Sequence, residues 1–124
     1  MRQRTFDLRD REVRADLERD GLTDLQVGES FVLQLTNQAS SAGWFYQLDE
    51  AQANNLLTFV KEDRSANKDQ PGGRVLLGAS GLSEYTVTVI GAGDGLIKFD
   101  PMSSRNPGEP ETMFPSIAIN FTAQ

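Results

Sequence analysis

The residues that most often carry catalysis are missing from this chain of 124 residues, which has neither cysteine nor histidine. This excludes thiol chemistry, disulfides, the usual zinc-ligand sets and every triad built on imidazole. The adjacent acids Asp49-Glu50 and Glu62-Asp63 have no histidine nearby and no buried setting that would suit them to acid–base catalysis. No calcium-loop spacing of acids is present. We therefore expect neither an enzyme nor a bound metal or cofactor.

Two short motifs that resemble functional sites also have simpler explanations. The glycine-rich stretch 91–95 fails the G-x-G-x-x-G spacing because position 96 is leucine, and no βαβ pattern surrounds it, so we interpret it as a hairpin turn. The glycosylation sequon Asn120-Phe121-Thr122 lies in a predicted strand and is attributed to chance.

Charge and hydropathy narrow the range of partners. The formal net charge is −6, which disfavours nucleic acid. No apolar run approaches the length of a membrane span, so we expect no membrane partner. No signal-peptide pattern is visible after Met1, and we therefore expect a cytoplasmic or virion-associated protein.

Three loops rich in small or turn-forming residues are better candidates for function, at 37–43, 78–81 and 100–111. Loops on rigid β scaffolds commonly carry binding function, and small side chains let a backbone approach a partner closely. Ordinary turns would give the same composition, so this alternative stays open. The only tryptophan, Trp44, follows the first loop, and core packing is favoured for its ring over ligand stacking.

The elements that must hold these loops are short strands. Alternating apolar residues predict strands, most clearly at 31–36, 44–48, 56–60, 74–77, 84–90, 96–99 and 117–121. Residues 2–20 are densely charged and fit either an exposed strand or a short helix, since Val13 and Leu17 are four apart. The fold class predicted is an all-β, immunoglobulin-like antiparallel β-sandwich of seven to eight strands.

From about Leu25 to Phe121 the sequence resembles the chagasin-like family, small β-sandwich inhibitors of papain-like cysteine proteases. The similarity lies in Val27-Gly28-Glu29 before an alternating strand, in the distance from Asn37 to Trp44, and in Leu76-Leu77-Gly78-Ala79-Ser80-Gly81 before the strand at 85–89. Gln38, Ala39, Ser40 and Ser41 replace the proline, threonines and glycine of the family's first loop, and Ser80 replaces a second-loop glycine. In the third loop, Met102-Ser103-Ser104-Arg105 occupies the place of an Arg-Pro-aromatic motif.

The resemblance implies a non-covalent, reversible inhibitor whose three loops fill the cleft of a papain-like cysteine protease. The protease-binding residues it implies are Asn37, Gln38, Ala39, Ser40, Ser41, Gly78, Ala79, Ser80, Gly81, Met102, Ser103 and Ser104. Loss of the proline adds an ordering cost on binding, and loss of the aromatic removes an expected anchor.

Two other functions remain open at the level of sequence. The sandwich could be a non-inhibitory structural or adaptor module, for example a phage virion component that binds other proteins of an assembly. A carbohydrate- or ligand-binding sandwich ranks last. We divide the chain into a charged amino-terminal extension, residues 1–22, which the resemblance does not cover, and a chagasin-like domain, residues 23–124.

Overall fold

The computed structural model describes residues 3–38, 43–64, 81–106, 108–111 and 114–124, and these form eight strands and one α-helix. In chain order the elements are β1 Arg4–Asp7, α1 Arg11–Asp20, β2 Leu22–Leu25, β3 Ser30–Gln38, β4 Trp44–Leu48, a 3-10 helix Glu50–Ala53, β5 Leu57–Arg64, β6 Gly81–Val89, β7 Gly93–Ser103 and β8 Ile117–Ala123.

The strands form two layers that share one hydrogen-bonded path, β2-β8-β7-β4-β3-β6-β5, with β1 added to β3. Strands β1, β3, β6 and β5 make one layer, and β2, β8, β7 and β4 make the other. The layers are joined where β3 and β4 pair, and that pairing has only two register positions, Asn37 with Phe45 and Gln38 with Trp44. Beyond this hairpin end, β3 continues beside β6 and β4 continues beside β7. The predicted all-β sandwich is confirmed.

Alternation along the strands explains why the layers face each other. Phe31, Leu33 and Leu35 of β3 are buried, and the intervening residues are partly exposed. A strand directs successive side chains to opposite faces, so each strand with this pattern presents one apolar face to the core. Strands β6, β7 and β8 repeat the pattern, and their inward side chains complete a single cluster.

The amino-terminal segment joins this same core. Strand β1 runs parallel to β3, strand β2 runs parallel to β8, and helix α1 lies between them in the chain and contacts β8. Leu8, Leu17 and Leu22 belong to the buried cluster. The two parallel pairings are additions to the antiparallel arrangement that the sequence predicts.

Helix α1 confirms the helical alternative for this segment, and an exposed strand over Val13 to Leu17 is wrong. The Asp10 carboxylate caps the helix by accepting from the amides of Glu12 and Val13 at 2.9 and 3.4 Å. The helix ends at Gly21, whose φ of 72° favours glycine. A Cβ there would lie 2.6 Å from the Asn120 carbonyl oxygen, so glycine also permits the close approach to β8.

Two other predictions from the sequence concern the length of the third loop and the strand at 74–77. The third loop is shorter than predicted, because residues 100–103 continue β7 and pair with β4. The strand predicted at 74–77 lies outside the described residues.

Candidate functional site

One end of the sandwich gathers the ends of the three predicted loops. Across neighbouring strands, Gly81 pairs with Asn37, Asn37 with Phe45, and Phe45 with Met102. This row crosses β6, β3, β4 and β7. The first loop begins after the β3 residue and ends before the β4 residue. The second loop ends at the β6 residue, and the third loop follows the β7 residue. We call this row the loop end of the sandwich.

The predicted site residues fall into three groups at this end. Asn37 and Gln38 are the last residues of β3, and Gly81 is the first of β6. Met102 and Ser103 belong to β7 rather than to a loop, and Ser104 follows directly. The other predicted residues lie outside the described residues: Ala39, Ser40, Ser41, Gly78, Ala79 and Ser80.

Gly43 connects the first loop to the third. It is buried at a φ of 80°, and its carbonyl accepts from the Ser104 amide at 2.9 Å. The Arg105 side chain lies across it, because a Cβ on Gly43 would be 2.7 Å from Arg105 Nε. A glycine is required here both for the backbone conformation and for this contact. The resemblance assigned no role to Gly43.

The third loop closes as a compact turn after β7. The Ser103 hydroxyl accepts from the amides of Arg105 and Asn106 at 3.3 and 3.1 Å. The Ser103 amide donates to the Glu109 carbonyl at 2.9 Å, and the Glu109 amide to that of Asn106 at 3.1 Å. These bonds hold the exposed Arg105 at the tip, beside the end of the first loop.

A polar network supports the start of the first loop from inside the sheet. Asn37 Nδ2 donates to Ser83 Oγ at 3.2 Å, and Ser83 Oγ donates to Asp63 Oδ1 at 2.7 Å. Lys61 forms an ion pair with Asp63 at 3.5 Å, and its ammonium lies 5.9 Å from the Phe45 ring centroid. Ser83 is only 4% exposed and is the one buried polar residue among those described. The network therefore ties β3, β6, β5 and β4 together directly below the loops.

Trp44, which follows the first loop, is part of the core. It is 8% exposed, lies edge-to-face on Tyr46 and stacks on Phe114 at a centroid distance of 4.1 Å. The prediction of core packing is confirmed. Phe114 is 38% exposed, so its ring covers the outer face of the tryptophan.

Two tyrosines near the loop end have raised pKa values. Burial raises the pKa of Tyr85 to about 12, and the Asp63 and Glu50 carboxylates act in the same direction. Burial also raises the pKa of Tyr46, while the nearby positive charge of Arg14 opposes that rise. At neutral pH both phenols stay protonated and act as core residues.

Within the described ranges, no group of three or more acidic or metal-ligating side chains could hold a metal ion. In the same residues no helix is long and apolar enough to cross a membrane.

The comparisons with known proteins agree with this architecture. No protein-family model and no curated protein sequence matches the chain. The fold is similar to that of the cysteine protease inhibitor EhICP2 from Entamoeba histolytica, with a TM-score of 0.63 and 12% identity over 98% of this chain and 95% of that one. Amebosin, solved in solution, is also similar, with a TM-score of 0.58 and 17% identity over the whole of both chains.

The chain therefore has the fold of chagasin-like cysteine protease inhibitors, as the sequence resemblance predicts. At 12% and 17% identity the likeness concerns the fold, and it includes the amino-terminal segment that the sequence resemblance left out. Neither similarity supports a structural or virion module.

Proposed function

We propose that the protein is a reversible inhibitor of papain-like cysteine proteases and that the loop end of the sandwich is the contact surface. The observation that carries the proposal is the row Gly81, Asn37, Phe45 and Met102, which brings the ends of all three predicted loops to one side. The fold shared with EhICP2 supports the same use of the scaffold.

The loop residues are suited to filling a cleft by shape rather than to reacting with the protease. The first loop is built from small residues, Ala39-Ser40-Ser41-Ala42-Gly43, which leave the backbone accessible to a narrow cleft. The chain has no cysteine, so it cannot form a disulfide with the catalytic thiol of a protease, and the proposed binding is non-covalent. Specificity then depends on shape and on the charged groups beside the loops, among them the exposed Arg105.

The two residues that flank the first loop are held by hydrogen bonds, although the loop lacks the family's proline. Affinity falls when a loop must be ordered on binding, and a rigid support lowers that cost. The Ser83 network fixes the start of the first loop, and the bond from Ser104 to Gly43 fixes its end. Asn37 keeps the first position of the family's first loop, whereas Ser83 and Gly43 lie outside the inhibitory motif.

The test is a titration of papain and a cathepsin L-type enzyme with the purified protein, followed by two variants that add the same bulk. Ser40→Trp alters the first loop and should abolish inhibition. Val27→Trp adds an indole at an exposed site in the turn before β3, at the opposite end of that strand from the loops, and inhibition should be unchanged. Equal inhibition by both variants would exclude the first loop from the contact surface.

A further inference from the structure

A small aromatic cleft opens on the flank of the sandwich, next to the loop end. Its volume is about 220 Å³, and its lining includes Leu8, Arg14, Leu35, Trp44, Tyr46 and Phe114. We call it the flank cleft. Helix α1 forms one wall, and β3 and β4 form the floor. Thr36 and Trp44, which precede Asn37 and follow Gly43, also line it, so it is continuous with the loop end.

The flank cleft is positively charged in a protein with an excess of six acids. Its two charged lining residues are Arg9 and Arg14. Arg9 is neutralised by Asp7, through an ion pair of 2.8 Å that also lowers the pKa of the Asp7 carboxyl. Arg14 is half-buried and makes no ion pair or side-chain hydrogen bond with any described residue. The cleft lining therefore holds one guanidinium without a direct carboxylate partner, and the nearest acid felt at Tyr46 from the same helix is Glu18, one turn further along α1.

This guanidinium differs from the other half-buried or paired cations. Arg4, Arg19 and Lys98 all have carboxylate partners. Arg11, also unpaired in the described part of the chain, is exposed on the same helix and does not line the cleft. A planar guanidinium beside aromatic rings is suited to a carboxylate carried on an apolar surface, because it donates two parallel hydrogen bonds while the rings cover the stem.

We propose that the flank cleft is a second contact site that receives an acidic side chain, flanked by apolar residues, from the surface of the partner protease. The inference rests on the proposed function, since it assumes a partner that already occupies the loop end. The volume of the flank cleft corresponds to roughly seven water molecules, which is room for one side chain of the size of glutamate rather than for a folded segment. The site would select among papain-like proteases by the charge beside their clefts.

The experiment pairs two substitutions on α1. Arg14→Glu should raise the inhibition constant of a responsive protease at least about tenfold, because it places a like charge opposite the partner's carboxylate. Arg11→Glu makes the same charge change on an exposed residue and should change it by less than about threefold. The difference should shrink as salt rises from 50 to 500 mM, because the screening length for surface charges falls from about 14 Å to about 4 Å in that range. Equal inhibition constants for the two variants overturn the inference, while continued inhibition by both leaves the proposed function intact.

A second measurement does not depend on inhibition. Trp44 is the only tryptophan and gives a single indole NMR signal inside the cleft. The peptide acetyl-Gly-Glu-Leu-Glu-Gly-amide should shift that signal in the wild-type protein and not in Arg14→Glu. Its Gln-for-Glu counterpart should leave the signal in place. If both peptides move the signal equally, or neither does, the cleft does not recognise a carboxylate.

Discussion

Removing the Ser83 hydroxyl should loosen the first loop without unfolding the protein. Ser83→Ala deletes a donor to the Asp63 carboxylate at 2.7 Å and an acceptor for the Asn37 amide at 3.2 Å. A hydrogen bond to a charged group contributes about 1.5–3 kcal/mol and a neutral one about 0.5–1.5 kcal/mol. The Asp63 side chain is 53% exposed, so water replaces most of what it loses.

The net loss in the free energy of unfolding should therefore be about 1–2 kcal/mol. For a domain of this size that corresponds to a fall in Tm of roughly 3–8 °C. The effect on binding is separate, because a loop that must be ordered in the complex costs affinity. We expect the inhibition constant to rise about fivefold, which is close to 1 kcal/mol.

The same strand pair provides a matched control. Ser30 Oγ and Thr88 Oγ1 are 2.9 Å apart at the other end of β3 and β6. Ser30→Ala removes a hydroxyl of the same kind, and should cost about 0.5–1.5 kcal/mol of stability with no change in inhibition. Urea unfolding and a protease titration on both variants decide the matter. If Ser83→Ala inhibits as well as Ser30→Ala, the network does not position the loop.

Three further perturbations test the packing around the site. Trp44→Ala should cost about 3–5 kcal/mol in urea unfolding because the ring is buried, and an unchanged Tm would mean that the indole is exposed. Gly43→Ala should lose more stability and more inhibition than Gly108→Ala: both glycines have positive φ, but only Gly43 has a guanidinium where the Cβ would lie. Absorbance of the phenolate should show Tyr85 titrating near pH 12. The folded state keeps that proton, while the unfolded tyrosine loses it near pH 10. The contribution of Tyr85 to the free energy of unfolding is therefore complete below pH 10. It falls by on the order of 2–3 kcal/mol as the pH rises through 12. An ordinary tyrosine titration would show that the ring is hydrated.

The layers of the sandwich were predictable because they depend on local pattern. Phe31, Leu33 and Leu35 alternate with polar residues, and this alternation fixes both the strand and its buried face. The aromatic strand at 44–48 was likewise predictable from a short stretch. The meeting of the loops at one end was an expectation from family resemblance, and the register of the strands supplies its geometric basis.

The supports of the site were not predictable, because they depend on pairing between distant strands. Nothing in the sequence around Ser83 distinguishes it from a surface serine, and its role comes from lying between β3 and β5. Gly43 could have been singled out by its place between small residues and Trp44, but its contact with Arg105 requires the β4–β7 register. The amino-terminal segment was ambiguous for a physical reason: a densely charged stretch with few apolar residues satisfies both helical and strand periodicity.

The division of the chain at residue 22 and the assignment of the individual contact residues remain predictions. Strand β1 and helix α1 place Leu8 and Leu17 in the common core, so removal of residues 1–22 should destabilise the sandwich.

Titration of active papain and a cathepsin L-type protease with the wild-type protein tests the proposed function most directly. We predict reversible inhibition, with full activity recovered on dilution, and loss of that inhibition in Ser40→Trp but not in Val27→Trp. Full protease activity in the presence of micromolar wild-type protein would contradict the assignment for these enzymes.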